Sequence, residues 1–148
     1  MKKLLLTALM MFACSGVIAQ EQVTNIQATQ KPFKGYFANE EYHVYIRINL
    51  YDDGMVIPEH DLYGNLPGYL AKEHNGFYWV ITSATLVNDT KAEIELINDY
   101  GSEDLEATLT LEDDGQTLVL KQGSGSTIKV PDNGKWKKLP GKLKFTKR

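Results

Sequence analysis

Leu105-Glu106-Ala107-Thr108-Leu109-Thr110-Leu111-Glu112-Asp113-Asp114-Gly115-Gln116-Thr117-Leu118-Val119-Leu120-Lys121-Gln122 is the stretch that decides the fold. Leu105, Ala107, Leu109 and Leu111 recur at period two, and Glu106, Thr108, Thr110 and Glu112 fall between them. A β-strand sends successive side chains to opposite faces, so this spacing predicts a strand with one apolar face and one polar face. Asp113-Asp114-Gly115 supplies turn chemistry: glycine tolerates positive φ, and the carboxylates accept bonds from nearby backbone N–H groups. Leu118 and Leu120 then resume the inward-facing pattern, and the whole reads as an antiparallel hairpin.

The same grammar extends in both directions. Upstream, Ala92, Ile94 and Leu96 alternate with Glu93 and Glu95. Phe77–Val87 is rich in aromatic and β-branched residues, and Asn75-Gly76 before it predicts a tight turn from a strand at Tyr69–Lys72. Tyr42, Val44, Ile46, Ile48 and Leu50 form one face of a long strand, opposite His43, Tyr45, Arg47, Asn49 and Tyr51. Asp52-Asp53-Gly54 turns that strand into a return strand at Met55–Ile57, which Pro58 stops. Downstream, Gly123-Ser124-Gly125 leads to Thr127–Val130, Asp132-Asn133-Gly134 makes a turn, and Leu143 and Phe145 mark a final strand. This amounts to about ten short strands with turns every 8–12 residues, the rhythm of a sandwich or barrel. No stretch beyond residue 20 sustains a 3.6 period. One or two helical turns fit near Glu59–Tyr63, limited by Gly64 and Pro67. The expected fold is all-β: an antiparallel meander of about ten strands closed into a β-barrel, since closure removes exposed strand edges. A β-sandwich is the alternative.

The chain has 148 residues. Lys2 and Lys3, the apolar run Leu4–Phe12 and Val17-Ile18-Ala19 have the layout of an export signal cleaved after residue 19. Removal leaves 148 − 19 = 129 residues, enough for one domain and one core. Residues 20–32, with Gln20, Gln22, Gln27 and Gln30, read as a flexible leader, and residues 33–148 as the single barrel domain. The protein is expected in the periplasm or outside the cell. Cys14, the sole cysteine, offers a minor alternative as a lipid-anchored terminus; ordinary cleavage discards it and leaves a fold without disulfides.

Phe33-Lys34-Gly35-Tyr36-Phe37 resembles the F-x-G-x-W opening of fatty-acid-binding proteins and the G-x-W of lipocalins, with Phe37 in the tryptophan position. More broadly, the chain is similar to small secreted β-proteins of gut bacteria, several of them lipocalin-like. The resemblance implies a lipocalin-like barrel.

Charge is unevenly placed. Residues 20–128 carry 6 basic and 18 acidic side chains, net −12, whereas residues 129–148 carry 8 basic and 1 acidic, net +7. The basic tail alternates as a strand, so cross-strand pairing with Glu93, Glu95 and Glu106 is expected. No stacking motif accompanies the lysines, so nucleic acid is not an expected partner. Membrane association enters only through a lipidated Cys14 or an anionic surface facing the basic strand.

Glu59-His60-Asp61, with His74, groups potential metal ligands, yet neighbouring residues seldom converge on one ion. Neither a metal nor a cofactor is expected. The serines lack a nucleophile-elbow context, and no catalytic residue stands out. The aromatics are the best pointer to a ligand. Tyr42, Tyr45, Tyr51, Tyr63, Tyr69, Phe77, Tyr78 and Trp79 crowd the N-terminal half, and tyrosine and tryptophan combine an apolar body with a polar handle. Phe77 and Trp79 share one face of their strand, Tyr78 and Val80 the other. One face therefore lines the core and the other meets a partner or a lid, for which loop 58–68 is the candidate. The expected ligand-binding residues are Tyr45, Arg47, His60, Tyr63, Tyr69, Tyr78 and Trp79.

Three functional readings follow. The first is an exported binding module that takes a small apolar or amphipathic ligand in the barrel, oriented by Arg47 or His60. The second is a cell-envelope domain that binds protein or glycan on its surface, with nothing inside. The third, a small hydrolase or isomerase, requires His43, His60 or His74 to meet a carboxylate in a cleft.

Overall fold

The computed structural model describes residues 30–148; the expected export signal, Cys14 and the expected leader up to residue 29 lie outside the described residues. Eight strands close an antiparallel barrel: β1 (Lys34–Asn39), β2 (Val44–Asn49), β5 (Gly68–Lys72), β6 (Tyr78–Asn88), β7 (Lys91–Asn98), β8 (Asp104–Leu111), β9 (Thr117–Gly125) and β12 (Lys142–Lys147). They run up and down in chain order, and β12 closes on β1 through Phe37 opposite Lys147 and Ala38 opposite Thr146. Four shorter strands stand apart as two pairs: β3 (Met55–Val56) with β4 (Asn65–Leu66), and β10 (Lys129–Asp132) with β11 (Lys135–Lys138).

Period-two alternation does what it predicts. On β8 the buried residues are Leu105, Ala107, Leu109 and Leu111, and Leu118 and Leu120 face them from β9. Asp114 makes the turn between them, accepting bonds from the N–H groups of Gln116 and Thr117 at 2.8 Å each. Phe33, Phe37, Ile46, Ile48, Leu70, Trp79, Ile81 and Phe145 complete the interior, each almost wholly buried.

The return strand expected at Met55–Ile57 does not join the barrel. β2 pairs instead with β1 and β5, and Met55–Val56 pairs with Asn65–Leu66. Residues 51–66 thus form a strap across the outside of the wall, carrying one 3-10 turn at Asp61–Tyr63. Burial explains the choice: Ile57 is fully buried in a second apolar cluster with Tyr69, Ala71, Tyr78 and Val80. That is why the strand at Tyr78–Ile81 is apolar on both faces.

Asp53 roots the strap. Its carboxylate meets Lys34 Nζ at 3.0 Å and Lys31 Nζ at 3.6 Å, and its carbonyl accepts from Asn65 Nδ2 at 2.8 Å. The bonds from Lys34 and then Asn49 hold its carboxyl down at about 2. The carboxyl of Asp132, bonded by Lys72, is also lowered. A group lowered by folding stabilises above its unfolded value, near 3.9 for Asp, and that contribution disappears as pH falls through the folded value. The thermal midpoint is therefore expected to fall as pH drops from about 4 towards 2. Asp53→Asn is expected to flatten that dependence, which a melting series by circular dichroism across this range would measure.

The basic C-terminal strand does not lie beside Glu93, Glu95 and Glu106, because closure seats β12 between β9 and β1. Lys144 pairs with Glu112 at 2.9 Å, Lys137 with Asp132 at 3.8 Å, and Arg148 with Glu40. Like charges instead stand opposite one another, Glu95 facing Glu106 and Lys142 facing Lys121. The glutamates are eased by serine hydroxyls, Ser83 Oγ to Glu95 at 2.9 Å and Ser124 Oγ to Glu106 at 2.7 Å.

Candidate functional site

Among the described residues the barrel interior is filled by side chains. Its inward side chains, Phe37, Val44, Ile46, Leu70, Trp79, Leu109, Leu118 and Phe145 among them, have no surface on which even a water could rest. Eight strands give an interior just wide enough for side chains to fill, and here aromatic rings fill it. The end near Phe77 is closed by the β10–β11 hairpin, which buries Val130 and accepts the Trp79 indole N–H at the Lys129 carbonyl, 2.8 Å away. An internal ligand, the first expectation, has no room. The surface features therefore lie outside.

Register builds an aromatic ladder on the outer wall. Arg47 stands opposite Tyr36 on one side and Tyr69 on the other, and Ala71 stands opposite both Tyr45 and Tyr78. The rings step diagonally from strand to strand. Tyr36 lies 5.2 Å from Tyr45, Tyr45 lies 5.9 Å from Tyr69, and Tyr69 lies 5.2 Å from Tyr78. His60 of the strap continues the series, 6.0 Å from Tyr78 and 5.9 Å from Tyr63. Burial, followed by the neighbouring Tyr69, pushes the Tyr45 phenol well up; burial and then the charge of Glu59 raise Tyr78. Both hydroxyls stay protonated and able to donate.

Beyond the ladder, a groove of about 370 Å³ opens between the strap and the β6–β7 wall. Leu66, Val80 and Ile97 make it apolar, while His60, Tyr63 and Asp99 supply polar edges. His60 Nε2 meets Asp99 Oδ1 at 2.6 Å, which ties the strap to the β7–β8 turn. A β-bulge contributes Thr82: Ile81 pairs with Leu96 and Ser83 with Glu95, leaving Thr82 as the extra residue at the groove.

Tyr100 separates this groove from a smaller cavity of about 180 Å³, lined by Phe77, Ser102, Glu103, Lys129 and Trp136. Asn98 shapes the turn that carries Tyr100. Buried at the end of β7, its Oδ1 accepts from the Ser102 N–H at 2.9 Å and its Nδ2 donates to Ser102 Oγ at 3.1 Å. Trp136 is seated by Phe77, with ring centres 4.8 Å apart, and Tyr100 packs 5.4 Å from the same ring. Lys129 Nζ reaches Glu103 Oε1 at 2.6 Å beneath them. Among the described residues, the three most exposed aromatic side chains, Tyr63 (71%), Tyr100 (73%) and Trp136 (52%), all line this pair of adjoining cavities.

A third depression, about 450 Å³ and shallow, lies at the other end of the ladder between Tyr36, Tyr45, Arg47, Tyr69 and His74. The residues expected from sequence thus divide. Tyr45, Arg47 and Tyr69 meet in this depression, His60 and Tyr63 line the groove, and Tyr78 is buried beneath His60. Trp79 is a core residue, on the opposite face of β6 from Tyr78. Sequence reasoning missed Tyr100 and Trp136. Tyr100 was hidden in an oxygen-rich turn, Asn98–Asp104, and Trp136 in a lysine run, Lys135–Lys138, all four of whose residues are exposed. Compared with family models, curated proteins and solved structures, the chain gives no match to any of the three.

Proposed function

We propose that this protein is an exported, lipocalin-like binding module that holds a saccharide chain against the outside of a filled β-barrel. One observation carries the reading: the three most exposed aromatic rings among the described residues line two adjoining cavities that meet at Tyr100. A pyranose ring presents C–H bonds on one face and hydroxyls around its edge. Flat aromatic faces flanked by amide, hydroxyl and carboxylate groups answer both, and Asn98, Asp99, Ser102 and Glu103 stand beside the rings. Rigidity adds to the case. Tyr100 sits on a turn braced by Asn98, and Trp136 on a hairpin anchored in the core, so little order remains to be imposed on binding. The export layout of residues 1–19 supports an envelope or extracellular setting, where such chains occur.

The protein has two tryptophans, of which Trp79 is buried and Trp136 half-exposed. Titration with neutral hexasaccharides of glucose, xylose, mannose and N-acetylglucosamine, followed by tryptophan fluorescence, is expected to shift the Trp136 emission to the blue with at least one of them. Tyr100→Ala is expected to weaken that binding about 10-fold, a loss of about 1.4 kcal/mol. The thermal midpoint should stay unchanged. A glycan array without a hit, or binding indifferent to both Tyr100→Ala and Trp136→Ala, would sink the reading.

A further inference from the structure

We propose a second binding site, distinct from the groove, in which Arg47 and the tyrosines around it take the oxyanion of a small ligand. An arginine on the outward face of a strand is ordinarily answered by a carboxylate on a neighbouring strand. Arg47 is not. It is exposed, and among the described residues it forms no ion pair. Its cross-strand neighbours are Tyr36 on β1 and Tyr69 on β5, and Tyr45 follows on its own strand. The acid that shares its depression, Glu73, lies 3.5 Å from His43 Nδ1. The outward positions of these three strands around Arg47 hold Tyr36, Ala38, Tyr45, Tyr69 and Ala71, with no acid among them. Among the described residues Arg47 is therefore a cation without a carboxylate partner on an aromatic wall, whereas Lys34, the next outward cation on β1, is paired with Asp53.

That combination has a chemistry. The guanidinium is a planar fork of N–H donors matched to carboxylate, phosphate or sulfate, and it stays charged at any working pH. The half-buried rings of Tyr36 and Tyr45 supply flat contact area for the body that carries the anion, and their hydroxyls supply further donors, while Tyr69 is buried behind them. The Tyr45 phenol keeps its proton, which suits it to an anion. A depression of about 450 Å³ leaves space for a ring-sized ligand. The shared chemistry is an oxyanion on a flat body; whether it arrives as an acidic sugar, a phosphorylated compound or a sulfated one is for the experiment to separate.

Arg47 and Arg148 are the only arginines in the chain, so the side-chain Nε–Hε region of a ¹⁵N–¹H spectrum holds two signals. Arg148 is engaged by Glu40 and serves as the internal reference. The protein is titrated separately with benzoate, glucuronate, inorganic phosphate and inorganic sulfate, and with glucose as the neutral counterpart of glucuronate. The expected result is a saturable shift of the Arg47 signal with at least one anion and none with glucose, while Arg148 stays still. Arg47→Gln is expected to weaken that anion at least 10-fold, and Arg47→Lys to restore only part of the loss, because a point charge lacks the fork. Both variants should melt with the parent protein, since the side chain is exposed. Equal shifts of both arginine signals, or anion binding unchanged in Arg47→Gln, would overturn the proposal. Tyr100→Ala distinguishes the two sites: it weakens the saccharide response read at Trp136 and leaves the Arg47 shift intact.

Discussion

Trp79→Ala is expected to cost about 3–5 kcal/mol of stability, the range for deleting a large aromatic ring from a packed core. Domains of this size are stable by only about 5–15 kcal/mol, so the variant sits near the edge of folding. The ring is wholly buried among Phe33, Phe37 and the aliphatic residues of the barrel, and no neighbour has slack with which to fill the space. A second loss accompanies the cavity. The indole N–H is bonded to the Lys129 carbonyl, so its removal unseats the β10–β11 hairpin that closes the barrel and carries Trp136. Trp79→Phe separates the two effects. It keeps most of the volume and loses the hydrogen bond, with an expected cost of roughly 1–2 kcal/mol. Urea unfolding followed by far-ultraviolet circular dichroism measures both. A loss near 4 kcal/mol moves the midpoint by roughly 2 M at a slope of about 2 kcal/mol per molar. A Trp79→Ala variant as stable as the parent would mean that the interior is not filled as described.

The interior was legible because period-two alternation is a local signal. Each of Leu105, Ala107, Leu109 and Leu111 points inward whatever its partner strand. Closure was less legible. It rests on β12 meeting β1 from opposite ends of the described chain, a pairing no window of sequence contains. The same distance misplaced the charges: Lys142 faces Lys121 rather than a glutamate, since the neighbour of a strand is a property of the whole circuit. The strap shows a third kind of limit. Met55–Ile57 has the composition of a strand, and Asp52-Asp53-Gly54 before it has the composition of a hairpin turn. Ile57 nevertheless buries itself on the outer wall, where Tyr69, Tyr78 and Val80 give it more contact than a barrel edge would. The two-faced apolar run at Tyr78–Ile81 did announce that something covers the outside, and the loop suspected of doing so contains the strap's far half.

The functional surface was half legible for a related reason. Tyr45, Arg47 and Tyr69 alternate with core residues, so their outward direction follows from pattern alone. Whether an outward tyrosine is open or covered depends on what lies above it. Tyr69 and Tyr78 are under the strap, whereas Tyr63 and Tyr100 are exposed. Trp136 carries the clearest lesson. Among Lys135, Lys137 and Lys138 it carries no local signal of its own, and all four residues are exposed. Its significance comes from Phe77 and Tyr100 arriving beside it from distant strands.

Gly68→Ala is expected to be the most damaging change that removes no contact, at roughly 3–5 kcal/mol, because backbone strain and overpacking add. Gly68 opens β5 opposite Ile48 with φ at +153°. A methyl group built there falls 2.2 Å from the Arg47 carbonyl oxygen and 2.9 Å from Ile48 Cα. Both are backbone atoms of β2, so no side chain is free to swing aside. Either β5 withdraws from β2 and breaks the ladder that runs from Val44–Lys72 to Ile48–Gly68, or the alanine is held in a conformation that L residues rarely adopt with its methyl group against the β2 backbone. Gly115→Ala is the control. That glycine has φ at +65° and nothing within 4 Å of the added methyl group, so it isolates the cost of the dihedral, expected near 1 kcal/mol. The difference between the two variants in urea unfolding combines the clash with the greater backbone strain at φ +153°. Amide exchange gives the location: loss of protection in Gly68→Ala should concentrate on β2 and β5, the strands that carry Arg47 and Tyr69, and spare β8 and β9. Equal destabilisation by the two alanines would show that β2 and β5 do not approach as closely as the barrel requires. If the strands do part, the Arg47 depression parts with them, and the anion response of Gly68→Ala should fall while the saccharide response at Trp136 persists.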